Sequence, residues 1–144
     1  MTRAIPSRTS KRLSAAAIPA RPLSRAPIST IPSHSRDPVS SRGRAARLRE
    51  RVAAAFPDAT LGRWHDAPVG PHPQSMYQIA FPRALLASFV PWLMLNRDGL
   101  TILLHPGTGN AYADHTDHAV WFGSMLPLRL DVLRAAQETP ASDA

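Results

Sequence analysis

Prolines at 6, 19, 22, 27, 32 and 38 decide what the first third of this chain can be. Each lacks a backbone N–H and fixes φ, so they leave no room for a long helix, and a strand loses a ladder donor wherever one falls. The residues around them are Arg, Ser and Ala, no acid precedes Asp37, and apolar periodicity is absent. Residues 1–42 are therefore expected to form a disordered basic segment, 43–136 the folded domain, and 137–144 a frayed tail.

Charge divides at the same place. Residues 1–50 hold eleven Lys/Arg against Asp37 and Glu50, a net +9, whereas the remainder is net −2, so the overall +7 belongs to the N-terminal third. Three origins fit such a segment: a targeting peptide, a nucleic-acid-binding tail, or an upstream or out-of-frame translation joined to an ordinary domain. Prolines oppose the amphipathic helix of a targeting peptide. The lack of aromatic residues leaves a tail with only weak, non-specific nucleic-acid binding. The expectation is the third origin, with a cytoplasmic protein, since Arg, Pro and Ser interrupt any signal-peptide core. No apolar run reaches the ~20 residues a bilayer requires. The chain has no cysteine, which excludes disulfides, thiolate metal sites and thiol nucleophiles.

From Gly43 the pattern becomes that of a folded domain. Ala45, Leu48, Val52 and Phe56 recur at helical spacing up to Pro57. A strand is expected at Thr60–Trp64, then a proline-rich loop over Asp66–Gln74. Met76–Phe81 alternates, with Tyr77, Ile79 and Phe81 on one face and Met76, Gln78 and Ala80 on the other. Pro82–Leu95 reads as a helix bent at Pro91, Asn96–Gly99 as a turn, and Leu100–Leu104 as a buried strand. Ala119–Phe122 reads as a further strand and Leu130–Ala136 as a terminal helix. One strand ahead of the first helix would complete β-α-β-β-α-β, so the fold class is α+β, ferredoxin-like. That strand should lie near residues 28–40, where Pro32 and Pro38 oppose it, and it is expected to be degenerate or missing.

Five of the six histidines fall between Trp64 and Ala119. His72 stands between two prolines in Gly70-Pro71-His72-Pro73. His105 closes the apolar strand and opens His105-Pro106-Gly107-Thr108-Gly109. His115 and His118 share Asp114-His115-Thr116-Asp117-His118, where Asp114 is placed to orient an imidazole by accepting its second N–H. His65 lies beside Asp66. Strand-end, turn and solvated-loop roles account for any one of these alone; five together favour a histidine-rich site for iron, zinc, copper or nickel. HExxH, GxSxG, P-loop and GxGxxG motifs are absent, which removes the usual protease, hydrolase and nucleotide-binding signatures.

Taken in order, these segments resemble the DOPA 4,5-dioxygenase family. The run is Gly70-Pro71-His72-Pro73, Tyr77-Gln78, Pro91-Trp92-Leu93-Met94-Leu95-Asn96-Arg97, Leu104-His105-Pro106 with Thr108-Gly109, Asp114-His115-Thr116, and Trp121 with Gly123. The resemblance covers about residues 45–133. It implies a ferredoxin-like domain that pairs into a dimeric α/β-barrel, and extradiol cleavage of DOPA or a related catechol with non-haem Fe(II) and O₂. It further implies His72, His105 and His34 as metal ligands, His115 and His65 as acid/base residues, and Asn96 or Arg97 as the partner of a substrate carboxylate. Family members begin with a strand bearing a His-x-His-x-Tyr-like motif; here Pro32-Ser33-His34-Ser35-Arg36 stands in its place, which is the reason for expecting a shifted frame or misplaced start upstream of about Asp37. Two rival readings follow: an inactive relative that holds zinc or iron, and a nucleic-acid-binding protein acting through its basic tail.

Overall fold

Antiparallel pairing organises the domain. The computed structural model describes residues 26–31 and 38–138, and the element order is β1 (Ala26–Ile31), α1 (Pro38–Ala55), β2 (Thr60–His65), β3 (Met76–Phe81), α2 (Leu86–Asn96), β4 (Thr101–Leu104), α3 (Ala111–His115), β5 (Val120–Phe122) and α4 (Leu130–Glu138). A short 3₁₀ turn, Arg83–Leu85, precedes α2. The five strands form one α+β sheet in the order β2-β3-β1-β4-β5, every neighbour antiparallel.

The first strand, expected to be degenerate or missing, is present and central. It lies at Ala26–Ile31, so that Pro32 and Pro38 fall outside it. Pro27 is the proline inside, opposite Ala80 of β3, whereas pairing with β4 begins only at Ile28. Pro27 thus sits near the start of the strand, where only β3 is paired with it, a position at which sheets tolerate proline. Helix α1 begins at Pro38 rather than Gly43; proline is compatible with the first turn, where the N–H has no intrahelical partner. The disorder expected of residues 1–25 and 32–37 lies outside the described residues, as does residue His34.

Alternation in β3 separates the two faces. Tyr77, Ile79 and Phe81 are buried with Ala45, Leu48 and Val52 of α1, Phe89 and Leu93 of α2, and Ile102 of β4. The α1 residues recur at i, i+3 and i+7, one helical stripe. Phe89 meets Phe56 edge to face at 4.8 Å, and the Tyr77 hydroxyl donates to the Ala45 carbonyl at 2.9 Å. The opposite face carries Met76, which packs with Leu126, Val69 and Trp121, and Gln78, which is exposed. No helix among the described residues is long and apolar enough to cross a membrane.

One irregularity in β2 matters for the site. Leu61 pairs with Ile79 and Trp64 with Tyr77, so β2 holds one residue more than β3 between those pairs. This β-bulge returns Trp64 to the core side with Leu61 and shifts His65 to the opposite face. Gly62 permits it: a Cβ there would lie 3.2 Å from Gln78 Cβ and 3.3 Å from the Gln78 carbonyl oxygen.

Candidate active site

Three histidine rings from three separate segments meet beside the second face of the sheet. The His105 and His115 ring centroids are 4.2 Å apart, and those of His72 and His115 are 5.6 Å apart. They line a cavity of about 390 Å³ together with His65, Arg63, Gly62, Met76 and Gln78, a volume suited to a small aromatic molecule.

His72 is carried by a turn. Gly70 adopts φ 52°, a conformation that favours glycine, and the His72 N–H closes the turn on the Val69 carbonyl at 3.0 Å. The segment leading into α4 fastens it from outside: Arg129 N donates to the Pro71 carbonyl at 2.8 Å and Arg129 Nη2 to the Gly70 carbonyl at 2.7 Å. His72 is 6% exposed. Among the described residues its Nδ1 is buried without a hydrogen-bond partner.

His105 follows directly on β4, whose Thr101, Ile102 and Leu103 are buried. Its Nδ1 lies 2.9 Å from the Pro106 carbonyl oxygen. His115 ends α3, with Nδ1 2.7 Å from the Ala111 carbonyl oxygen. A carbonyl only accepts, so in the neutral ring each of these Nδ1 atoms bears the proton and each Nε2 keeps its lone pair. The Asn110 side chain caps α3 by accepting from Ala113 N at 3.0 Å.

Asp114 is oriented differently from expectation. Its buried carboxylate accepts from Thr108 N at 2.9 Å and Thr108 Oγ1 at 2.6 Å, locking the loop after His105 onto α3. It therefore holds the backbone that carries the rings instead of an imidazole N–H.

Burial sets the charge state of the cluster. His72 is lowered from 6.5 to about 4, chiefly because burial penalises the imidazolium, with repulsion from His115, His105 and His65 adding to it. His105 is lowered too, again mainly by burial; the Pro106 carbonyl opposes this, His115 reinforces it, and the Asp114 carboxylate opposes it. Both rings are neutral near pH 7, the form in which imidazole binds a metal.

The sequence-derived candidates thus separate into groups. His72, His105, His115 and His65 share one cavity. Asn96 and Arg97 do not line it: Asn96 Nδ2 donates to the Trp92 carbonyl at 2.7 Å and Arg97 Nη1 to the Leu100 carbonyl at 2.7 Å, so both stabilise the end of α2 and the turn into β4. His118 is exposed and lines a neighbouring apolar pocket with Leu86, Pro106 and Val120. Arg63, Gln78 and Arg129 were not singled out as site residues from sequence. A lone arginine on a short strand reads as a solvated side chain, and only the bulge places Arg63 at the cavity.

The donors fit a metal ion in kind. His105 and His115 each direct Nδ1 to a carbonyl, which leaves Nε2 for a ligand, and among the described residues His72 has a buried ring nitrogen without a partner. Their number falls short among the described residues, where no three His, Asp or Glu side chains are grouped to hold one ion.

A family model, the Dopa 4,5-dioxygenase family, matches residues 34–132. The chain belongs to this family. A DOPA 4,5-dioxygenase of Amanita muscaria is 40% identical over 87 residues, covering 60% of this chain and 38% of that protein. An uncharacterised 21.2 kDa protein of Botryotinia fuckeliana is 34% identical over 106 residues, covering 68% of this chain and 58% of its own length. The chain therefore spans about half the length of these curated relatives. A crystal structure of a candidate dioxygenase from Nostoc punctiforme is similar at 43% identity and a TM-score of 0.72, covering 78% of this chain and 93% of that one. The family match contains all four cavity histidines and begins at His34.

Proposed function

We propose that this chain is an extradiol dioxygenase that opens the ring of DOPA or a related catechol with non-haem Fe(II) and O₂. The observation that carries the reading is the convergence of His72, His105 and His115 on one cavity in a chain of this family. Under this reading the domain is ferredoxin-like, supported by the β-α-β-β-α-β element order and the β2-β3-β1-β4 strand order. The homodimer implied by the resemblance belongs to the same proposal.

His72 and His105 would hold the iron, with His34, outside the described residues, as the proposed third ligand. When bound, such an ion supplies Lewis acidity and a template that brings catechol and O₂ together. The chain's own residues do the rest. The Ala111 carbonyl fixes the tautomer of His115 and leaves Nε2 free to take a catechol hydroxyl proton and return it later. Met76 and Val69 give the cavity an apolar wall, backed by Leu126 and Trp121. His65, on the cavity face through the bulge, is a second proton carrier.

The test is anaerobic Fe(II) loading of the full chain, followed by oxygen uptake with DOPA and detection of a yellow ring-opened product. The expected result is one O₂ consumed per catechol opened, with a His115→Ala variant that retains iron but loses at least ~100-fold in kcat. An iron-loaded chain that takes up no oxygen with any catechol would overturn the proposal and favour a metal-binding relative without oxygenase activity.

A further inference from the structure

The histidine cavity contains a permanent charge that the ring chemistry leaves without a task. Arg63 lines it from β2. A guanidinium stays charged throughout the physiological range and offers a planar fork of donors matched to a carboxylate. No Asp, Glu or Lys is among the described residues lining the cavity, and the two ion pairs found among the described residues, Arg42–Asp66 and Arg47–Asp98, leave Arg63 out. Several arginines of α1 are engaged elsewhere: Arg42 and Arg49 lie over Trp64 and Tyr77, and Arg51 donates to Asn96. Among the described residues Arg63 has neither an acid nor an aromatic face as partner.

Its position follows from the bulge. Gly62 and Arg63 together oppose Gln78. Gln78, exposed on the adjacent strand, adds a neutral amide to the cavity wall. One end of the cavity is thus lined by histidine rings and this wall by a cation and an amide.

We infer that Arg63 is the specificity-determining residue of this cavity, binding the carboxylate of an anionic substrate whose ring lies against the histidines. The inference rests on the proposed catechol reading for the identity of the ring. It transfers the carboxylate-binding role from Asn96 and Arg97, which hold the α2–β4 turn, to an exposed residue that lines the cavity.

A matched pair of ligands tests it: 3-(3,4-dihydroxyphenyl)propanoate and its primary amide, which differ in charge and little in shape. Binding of each to the full chain is measured by calorimetry under argon, so that turnover plays no part. The expected result is about tenfold tighter binding of the acid than of the amide, a ratio that falls to about one in Arg63→Gln and is partly kept in Arg63→Lys, with unchanged circular dichroism in both variants. Equal binding of acid and amide to the wild type, a ratio that survives Arg63→Gln, or binding of neither compound overturns it. If ring opening fails with both compounds while the Arg63-dependent ratio holds, the dioxygenase reading falls and this one stands. Ring opening of both with equal KM does the reverse.

Discussion

Acid should destabilise the metal-free chain through His72, and a His72→Leu variant should escape most of that loss. Burial and the neighbouring imidazoles lower His72 from 6.5 to about 4. Between those values the unfolded chain takes up a proton that the folded chain refuses, so stability rises with pH there. The contribution is whole above the unfolded value, declines as pH falls from about 6.5 to about 4, and is constant below. For one site, the loss between about pH 7 and pH 5 is about 2 kcal/mol, a large part of the marginal stability of a small domain. His105, lowered in the same direction, adds to the slope. The assay is urea unfolding with EDTA at the two pH values, with free energies obtained by linear extrapolation. Leucine removes the titrating group and also the buried nitrogen that lacks a partner, so its pH dependence should be flatter by about the calculated amount. A His72→Leu chain that loses as much stability as the wild type between the two pH values would refute the reasoning.

Three further outcomes are expected. Gly62→Val should cost about 1–3 kcal/mol in urea unfolding, because its Cβ would meet Gln78 backbone and Cβ at 3.2–3.3 Å and the β2 bulge would have to shift. Arg129→Ala removes the donor to the Gly70 carbonyl; we expect a cost of about 1 kcal/mol and faster hydrogen exchange at the His72 amide, which closes the same turn. Asp114→Ala leaves Thr108 N and Oγ1 without their acceptor and should cost about 2 kcal/mol, with proteolysis increased in the loop after His105.

Much of this arrangement was legible from residue pattern. The alternation of Met76–Phe81 places each β3 residue on the face where it is found, because a two-residue period allows no other assignment once one face is apolar. His72 was recognisable as a site candidate because prolines on both sides fix its loop backbone, and His105 because it follows the end of a buried strand, where side chains leave the core. The bulge was not legible. Strict alternation from Leu61 would put Arg63 and His65 with the core and Trp64 at the cavity, the reverse of what pairing with β3 produces. The first strand was sought near residues 28–40 and expected to be degenerate because Pro32 and Pro38 oppose it there; it lies at Ala26–Ile31, and both prolines fall outside it. Asn96 and Arg97 were assigned to substrate from resemblance; their hydrogen bonds to Trp92 and Leu100 depend on the path from α2 to β4, which local sequence does not specify.

The cost of the histidine cluster is itself an argument for its use. A buried ring nitrogen without a partner destabilises a fold by about 1–3 kcal/mol relative to a satisfied one, and among the described residues His72 Nδ1 is such an atom. An apolar residue beside Met76 would incur no such penalty. Around this unsatisfied group the surrounding contacts are complete: Arg129 holds the Gly70–Pro71 turn, Asp114 holds Thr108, and Asn110 caps α3. Each comes from a segment other than the one whose ring it steadies or from the loop between two of them. A rigid frame built around neutral imidazoles, one with a free buried nitrogen, is pre-organised for a group that accepts their lone pairs. Local destabilisation concentrated within otherwise satisfied packing is the pattern expected of a site kept for chemistry rather than for folding.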